Sequence, residues 1–224
     1  MSAPRGRGGE PDVAAVIMFP SRRQLVRRLP PTLLGIALIS VGITLSVRAH
    51  VGLAPWDVFH QGLSKRTGIS LGWIIVLVGF VVLLAWIPLH QRLGPGTVIN
   101  TVLVGTLTKL FLPLVGIPDL MVVRIPMFVG ALVAMGLGGG LYIGSALGPG
   151  PRDGLMTAIT ARGHRLWVVR TVIELSVLVV GWLLGGGVGV GTAVLAFSLG
   201  PATHFAIRRF HLPVAPTSLE VLGE

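Results

Sequence analysis

Gly52-Leu53-Ala54-Pro55-Trp56-Asp57 is answered 96 positions later by Gly148-Pro149-Gly150-Pro151-Arg152-Asp153. Both stretches read G-x-small-P-x-D, both follow a long apolar run, and both open a short amphipathic segment ending at an arginine, Arg66 or Arg162. The same offset pairs Gly42 with Gly138, Leu45 with Leu141, Val76 with Val172, Val81 with Val177 and Trp86 with Trp182. After a one-residue slip the match resumes, pairing Gly96-Thr97 with Gly191-Thr192 and Gly105 with Gly200. Glycine, proline, aspartate and tryptophan kept in one register over so long a stretch mark an internal duplication.

Composition sets the solvent in which the duplication folds. Of 224 residues, 12% are charged and 52% hydrophobic, with a mean hydropathy of +0.84. Soluble domains carry about 25% charged residues. The apolar excess lies in runs long enough to cross a hydrocarbon core of about 30 Å. The expected fold is therefore all-α and polytopic. The net charge of +10 resides in the N-terminal stretch and in connections between spans, which points to lipid and topology rather than nucleic acid. No cysteine is present, which excludes disulfides, thiolate chemistry and cysteine metal sites.

Residues 1–30 hold six arginines among Gly, Pro and Ser and are expected to form a disordered basic cytoplasmic tail. Residues 13–19 (VAAVIMF) are too brief, and too closely followed by arginine, for a cleaved signal. A first membrane repeat is expected over 31–118, with spans at 31–47, 71–89 and 97–115. A second is expected over 125–210, with spans at 125–145, 166–184 and 192–207, and a C-terminal tail over 211–224. In each repeat a short helix follows the first span, at 55–65 and 151–162. Proline suits a first helical position, and an acid in the first turn favours the positive end of the dipole. Both helices are too short to cross, so they are expected to be broken or re-entrant. The Gly-rich run around Gly136, Gly138, Gly139 and Gly140 reads as close helix packing, since no strand precedes it.

Three crossings per repeat make the two repeats inverted with respect to each other. With both termini cytoplasmic, ten arginines fall inside (Arg22, Arg23, Arg27, Arg28, Arg92, Arg152, Arg162, Arg165, Arg208, Arg209) and four basic residues outside (Arg48, Lys65, Arg66, Arg124). That asymmetry obeys the positive-inside rule.

The chain resembles the YczE-like group of bacterial integral membrane proteins, related to the wider YitT/YyaS set. The resemblance is carried by G-L-A-P-W-D-V-F-H-Q-G-L at 52–63, L-G-P-G-P-R-D-G-L-M at 147–156, V-R-T-V-I-E at 169–174 and G-W-L-L-G-G-G-V-G-V-G-T at 181–192. It covers residues 31–210 and implies a multi-pass bacterial cell-membrane protein. No catalytic or binding residue carries over from it.

Function is therefore sought in ionisable side chains within or beside spans, because each costs about 2.5–3.5 kcal/mol at mid-helix. Glu174 lies in the fifth span one turn from Arg170; Lys109 and His204 occupy equivalent positions in spans three and six. Asp57 and Asp153 open the duplicated short helices, with Arg152 beside the second. Duplicated helix starts of this kind resemble the broken-helix sites of inverted-repeat transporters, though an acid in a first turn is equally a cap. The expected substrate- or ion-binding set is Asp57, Arg152, Asp153, Arg170, Glu174, Lys109 and His204. Scattered histidines and the lack of a nucleophile motif give no expectation of an enzyme, a metal or a cofactor. The reading is a secondary transporter of a small molecule or ion, with a non-transporting accessory or scaffold protein as its rival. The expected partner is the lipid bilayer, and Gly-rich spans also fit a homodimer.

Overall fold

The computed structural model describes residues 21–210. They form eight α-helices: α1 (Arg22–Ala49), α2 (Pro55–Thr67), α3 (Leu71–Leu89), α4 (Pro95–Phe111), α5 (Met121–Gly144), α6 (Pro151–Thr160), α7 (Leu166–Leu183) and α8 (Val190–Phe210). A 3-10 turn, Leu112–Leu114, prolongs α4. Among the described residues there is no strand. Six helices, all but α2 and α6, are long and apolar enough to cross a membrane. The protein is an all-α, multi-pass membrane protein.

The first helix departs from the sequence reading. Residues 22–30, expected as tail, are helical and continuous with the first span. A capping box starts the helix: the Ser21 hydroxyl accepts from Gln24 N–H at 3.3 Å, and Gln24 Oε1 accepts from Ser21 N–H at 2.8 Å. Arg28, read from sequence as a topological arginine, is buried and donates to the Ser145 carbonyl at the end of α5, at 2.7 Å. The expectations for residues 1–20 and 211–224 lie outside the described residues.

Helix α1 packs most extensively on α5. Gly35 lies against Gly138 and Tyr142, while Gly42 lies against Ala131 and Met135. Positions rising along α1 thus meet positions falling along α5, so the two helices are antiparallel. The Gly35·Gly138 and Ala131·Gly42 approaches are the same contact under the offset of 96. Small residues let the backbones come this close, which is how helices associate in a solvent with no hydrophobic driving force between them.

Other pairs follow in kind. Ser40 Oγ donates to the Val104 carbonyl at 3.2 Å, and Arg48 Nε to that of Leu112 at 3.1 Å, so α4 runs parallel to α1. Gly136 faces Ala202 and Gly140 faces Ala206, so α8 runs parallel to α5. The short helices cross over: α2 packs on α7, and α6 on α3.

A side chain at Gly138 would drive its Cβ to 2.7 Å from the Gly35 carbonyl oxygen, whereas one at Gly116 would meet nothing. Gly138→Val is therefore expected to lower stability by about 1–3 kcal/mol, and Gly116→Ala to change it by less than about 0.5 kcal/mol. Thermal unfolding of the detergent-solubilised protein measures both.

Candidate functional site

Both duplicated phrases become helix starts with the same geometry. Ala54 and Gly150 are the N-cap residues in extended conformation, with Pro55 and Pro151 in the first turn. Neither start has a side-chain cap. The Asp57 and Asp153 carboxylates stand in the first turns of these helices, where an acid favours the positive end of the dipole.

Each start is held by the other half of the chain. Gly96 N–H donates to the Leu147 carbonyl at 2.8 Å and Thr97 Oγ1 to that of Pro149 at 2.8 Å, fixing the approach to α6. Correspondingly, Gly191 N–H donates to the Val51 carbonyl at 3.1 Å, and Leu53 N–H to Thr192 Oγ1 at 3.2 Å, fixing the approach to α2. Gly94, Gly96, Gly52 and Gly191 stand where any Cβ would overlap the opposite backbone or ring. Trp86 Nε1 donates to the Pro151 carbonyl at 3.1 Å, and its ring fills the space that Gly154 leaves open.

These constraints bring Asp57 and Arg152 together although 95 residues separate them. Arg152 Nη2 stands 3.4 Å from Asp57 Oδ1 and 3.5 Å from His60 Nδ1, and its guanidinium lies 5.3 Å from the centre of the Trp56 ring. Asp57 is 0% exposed. Burial alone would push its carboxyl up, but His60 and Arg152 outweigh that and hold it below the ordinary value. His60, one turn along α2, has its pKa pushed down to about 4 by burial, so it is neutral near pH 7. Its Nδ1 stands 3.6 Å from Asp57 Oδ1.

Beside this cluster lies a cavity of about 130 Å³. Trp56, His60, Tyr142, Asn100, Arg152 and Asp153 supply its polar wall; isoleucines, valines and Met135 from α1, α3, α4 and α5 supply the rest. Asp153 keeps open surface, and it lines this cavity. Protein is packed densely around it elsewhere, and this burial pushes its carboxyl up, with Arg170 and Arg152 pulling less strongly the other way. Among the described residues, three buried side-chain atoms lack any hydrogen-bond partner: Trp56 Nε1, Asp57 Oδ2 and the Tyr142 hydroxyl. Such orphans are rare in a settled interior, and two of the three, on Trp56 and Tyr142, belong to residues that line this cavity. No group of three His, Cys, Asp or Glu side chains suited to a metal occurs among the described residues.

The remaining candidates lie elsewhere. Arg170 and Glu174 form an ion pair on α7 at 2.9 Å, outside the cavity lining. Lys109 is exposed and sits 4.9 Å from the centre of the Trp73 ring; His204 is exposed on α8. Sequence reasoning passed over Trp56, His60, Asn100 and Tyr142. Two signals were available: His60 follows Asp57 by one helical turn, and Tyr142 is the single tyrosine of the chain.

Comparison with known proteins places the chain among membrane proteins. A profile described as "Family of unknown function (DUF6198)" matches residues 26–208. An uncharacterized protein of Haemophilus influenzae is 36% identical over 190 residues, 81% of this chain and 85% of that one. The uncharacterized membrane protein YczE of Bacillus subtilis is 31% identical over 196 residues, 86% of this chain and 88% of that one. The uncharacterized protein YyaS of the same organism is 28% identical over 172 residues, 71% and 82% of the two chains. No solved structure matches.

Arg152→Gln leaves Asp57 as an uncompensated buried charge and is expected to cost about 3 kcal/mol or more. Asp57→Asn is expected to cost less, because the Arg152 side chain is 30% exposed and can hydrate. The double variant Asp57→Asn/Arg152→Gln recovers most of the Arg152→Gln loss. A double-mutant cycle on thermal stability reads the coupling; simple additivity would show the pair to be unlinked.

Proposed function

We propose that this chain, which belongs to the DUF6198 family with YczE and YyaS as relatives, is a secondary transporter of a small solute. It works in the bacterial cell membrane as two inverted three-helix repeats, with both termini cytoplasmic. The central cavity is the substrate site.

One observation carries this reading: the starts of two duplicated short helices, contributed by the two halves, meet through Asp57 and Arg152 at one cavity. Irregular backbone at membrane depth is tolerated where it is buried in protein or lines a cavity, and paired broken helices at a repeat interface are the usual construction of a transport site. The antiparallel α1·α5 contact and the ten-to-four asymmetry of basic residues support the inversion. Orphaned polar groups support an occupant.

Two measurements test it. Single cysteines at Thr67 and His164 in this cysteine-free chain, treated on intact cells with an impermeant thiol reagent, should label at Thr67 alone. Equal labelling of both positions would contradict the inversion. Protein reconstituted in liposomes should by itself accelerate uptake of at least one class among small amines, carboxylates and amino acids. Uptake of none of these would favour the accessory or scaffold role.

A further inference from the structure

We infer that the cavity takes a small monovalent organic ammonium ion, its charge on the Asp153 carboxylate and its apolar body against Ile39, Ile43, Ile75 and Val78, and that a proton competes for the same carboxylate. The inference rests on the reading of this cavity as the substrate site and supplies the chemistry of its occupant.

Charge on the cavity wall decides between ligand classes. Arg152 is occupied on one side by Asp57 at 3.4 Å and on another by the Trp56 ring. His60 is neutral near pH 7. Asp153 has no ion-pair partner within 4.0 Å among the described residues. An ionised Asp153 therefore leaves one negative charge on the cavity wall without an ion-pair partner, a place for a cation. A monocation brings the cavity to neutrality; a zwitterion leaves the deficit unchanged, and an anion doubles it. Divalent metal ions want several oxygen ligands, usually more than one carboxylate among them, and Asp153 is the single carboxylate residue on the cavity lining. An organic cation matches both the lone carboxylate and the aliphatic wall.

The orphan atoms add detail. The Tyr142 hydroxyl, 2% exposed with its residue, is a second acceptor for an ammonium N–H. Trp56 Nε1 is a spare donor for an oxygen on the ligand's body.

The charged and titratable groups around Asp153 are Arg152 on its own helix, Arg170 on α7 with Glu174 bound to it, Tyr142 on α5, and Asp57 with His60 on α2 behind Arg152. Helix α3 has no ionisable residue, and the single one on α4, Lys109, lies beyond Asn100 by more than two turns. Burial pushes the Asp153 carboxyl up, so without a cation it holds its proton more readily than a surface acid. Wherever the carboxyl carries a proton, a docking ammonium ion displaces it to water and the two charges pair. Solute entry and proton exit at one side, and the reverse at the other, amount to exchange.

Calorimetry on the detergent-purified full-length protein tests this, with benzylamine, benzoate, phenylglycine and benzyl alcohol as matched cation, anion, zwitterion and neutral probes. Benzylamine is expected to bind roughly tenfold to a hundredfold more tightly than the other three. Its affinity is expected to fall as pH falls. Titrations in buffers of different ionisation enthalpy should show protons released on binding. Asp153→Asn should abolish the proton release and weaken benzylamine by a similar factor, while Asp153→Glu retains both. Tighter binding of benzoate or phenylglycine than of benzylamine by the wild type would overturn the inference, as would unchanged benzylamine affinity in a folded Asp153→Asn variant. Liposomes loaded with a pH dye separate the two levels. Asp153-dependent benzylamine binding without benzylamine-driven proton movement contradicts transport and keeps the ligand class; uptake of a carboxylate without benzylamine binding does the opposite.

Discussion

The hydrogen bonds from Gly96 to the Leu147 carbonyl and from Gly191 to the Val51 carbonyl hold the two broken helices in place. Backbone that leaves a helix inside a membrane protein must find protein partners, because lipid offers none. Here each break is repaired by the first turn of a long helix from the opposite half, α4 for one and α8 for the other. Threonines one residue later, Thr97 and Thr192, make a second bond at each place. Neither half can therefore complete its own short helix, and the two halves must fold around one another. Everything at the cavity follows from that exchange.

The exchange builds equal backbones and unequal chemistry. At the first start the sequence places Trp-Asp with His60 a turn later; at the second it places Arg-Asp. Because α6 reaches across towards α2, Arg152 neutralises the acid of the other copy and leaves its own neighbour, Asp153, on the cavity wall. The tryptophans diverge in the same way. Trp86 is 1% exposed and locked to Pro151, while its counterpart Trp182 is 62% exposed. A duplicated scaffold thus carries one structural carboxylate and one that is open to a ligand.

Much of the fold was legible because its signals are local and long. Apolar runs bounded by Gly and Pro set the spans to within a few residues, and the repeated G-x-small-P-x-D phrase set both short helices. The start of α1 escaped because four arginines and two prolines read as tail, although the Ser21-x-x-Gln24 capping box was present. At the site, residue types were legible and partnerships were not. Arg170 and Glu174 were readable as a pair because helical pitch fixes positions four apart. Asp57 and Arg152 were not, because their meeting depends on which helices cross between halves. Lys109 and His204 share a sequence register but occupy exposed faces, and a register does not say which face packs.

If the cavity is a transport site, as proposed, it opens to both sides of the membrane in turn. Asn100 lines it and is half-buried, and the chain has no native cysteine. The direct measurement is modification of Asn100→Cys by a membrane-impermeant thiol reagent, in right-side-out and inside-out vesicles in parallel. Reaction from both sides, with bound solute slowing it equally in each, is the predicted result. Reaction from one side only, unchanged by solute, would make the cavity a closed-ended pocket and contradict the account.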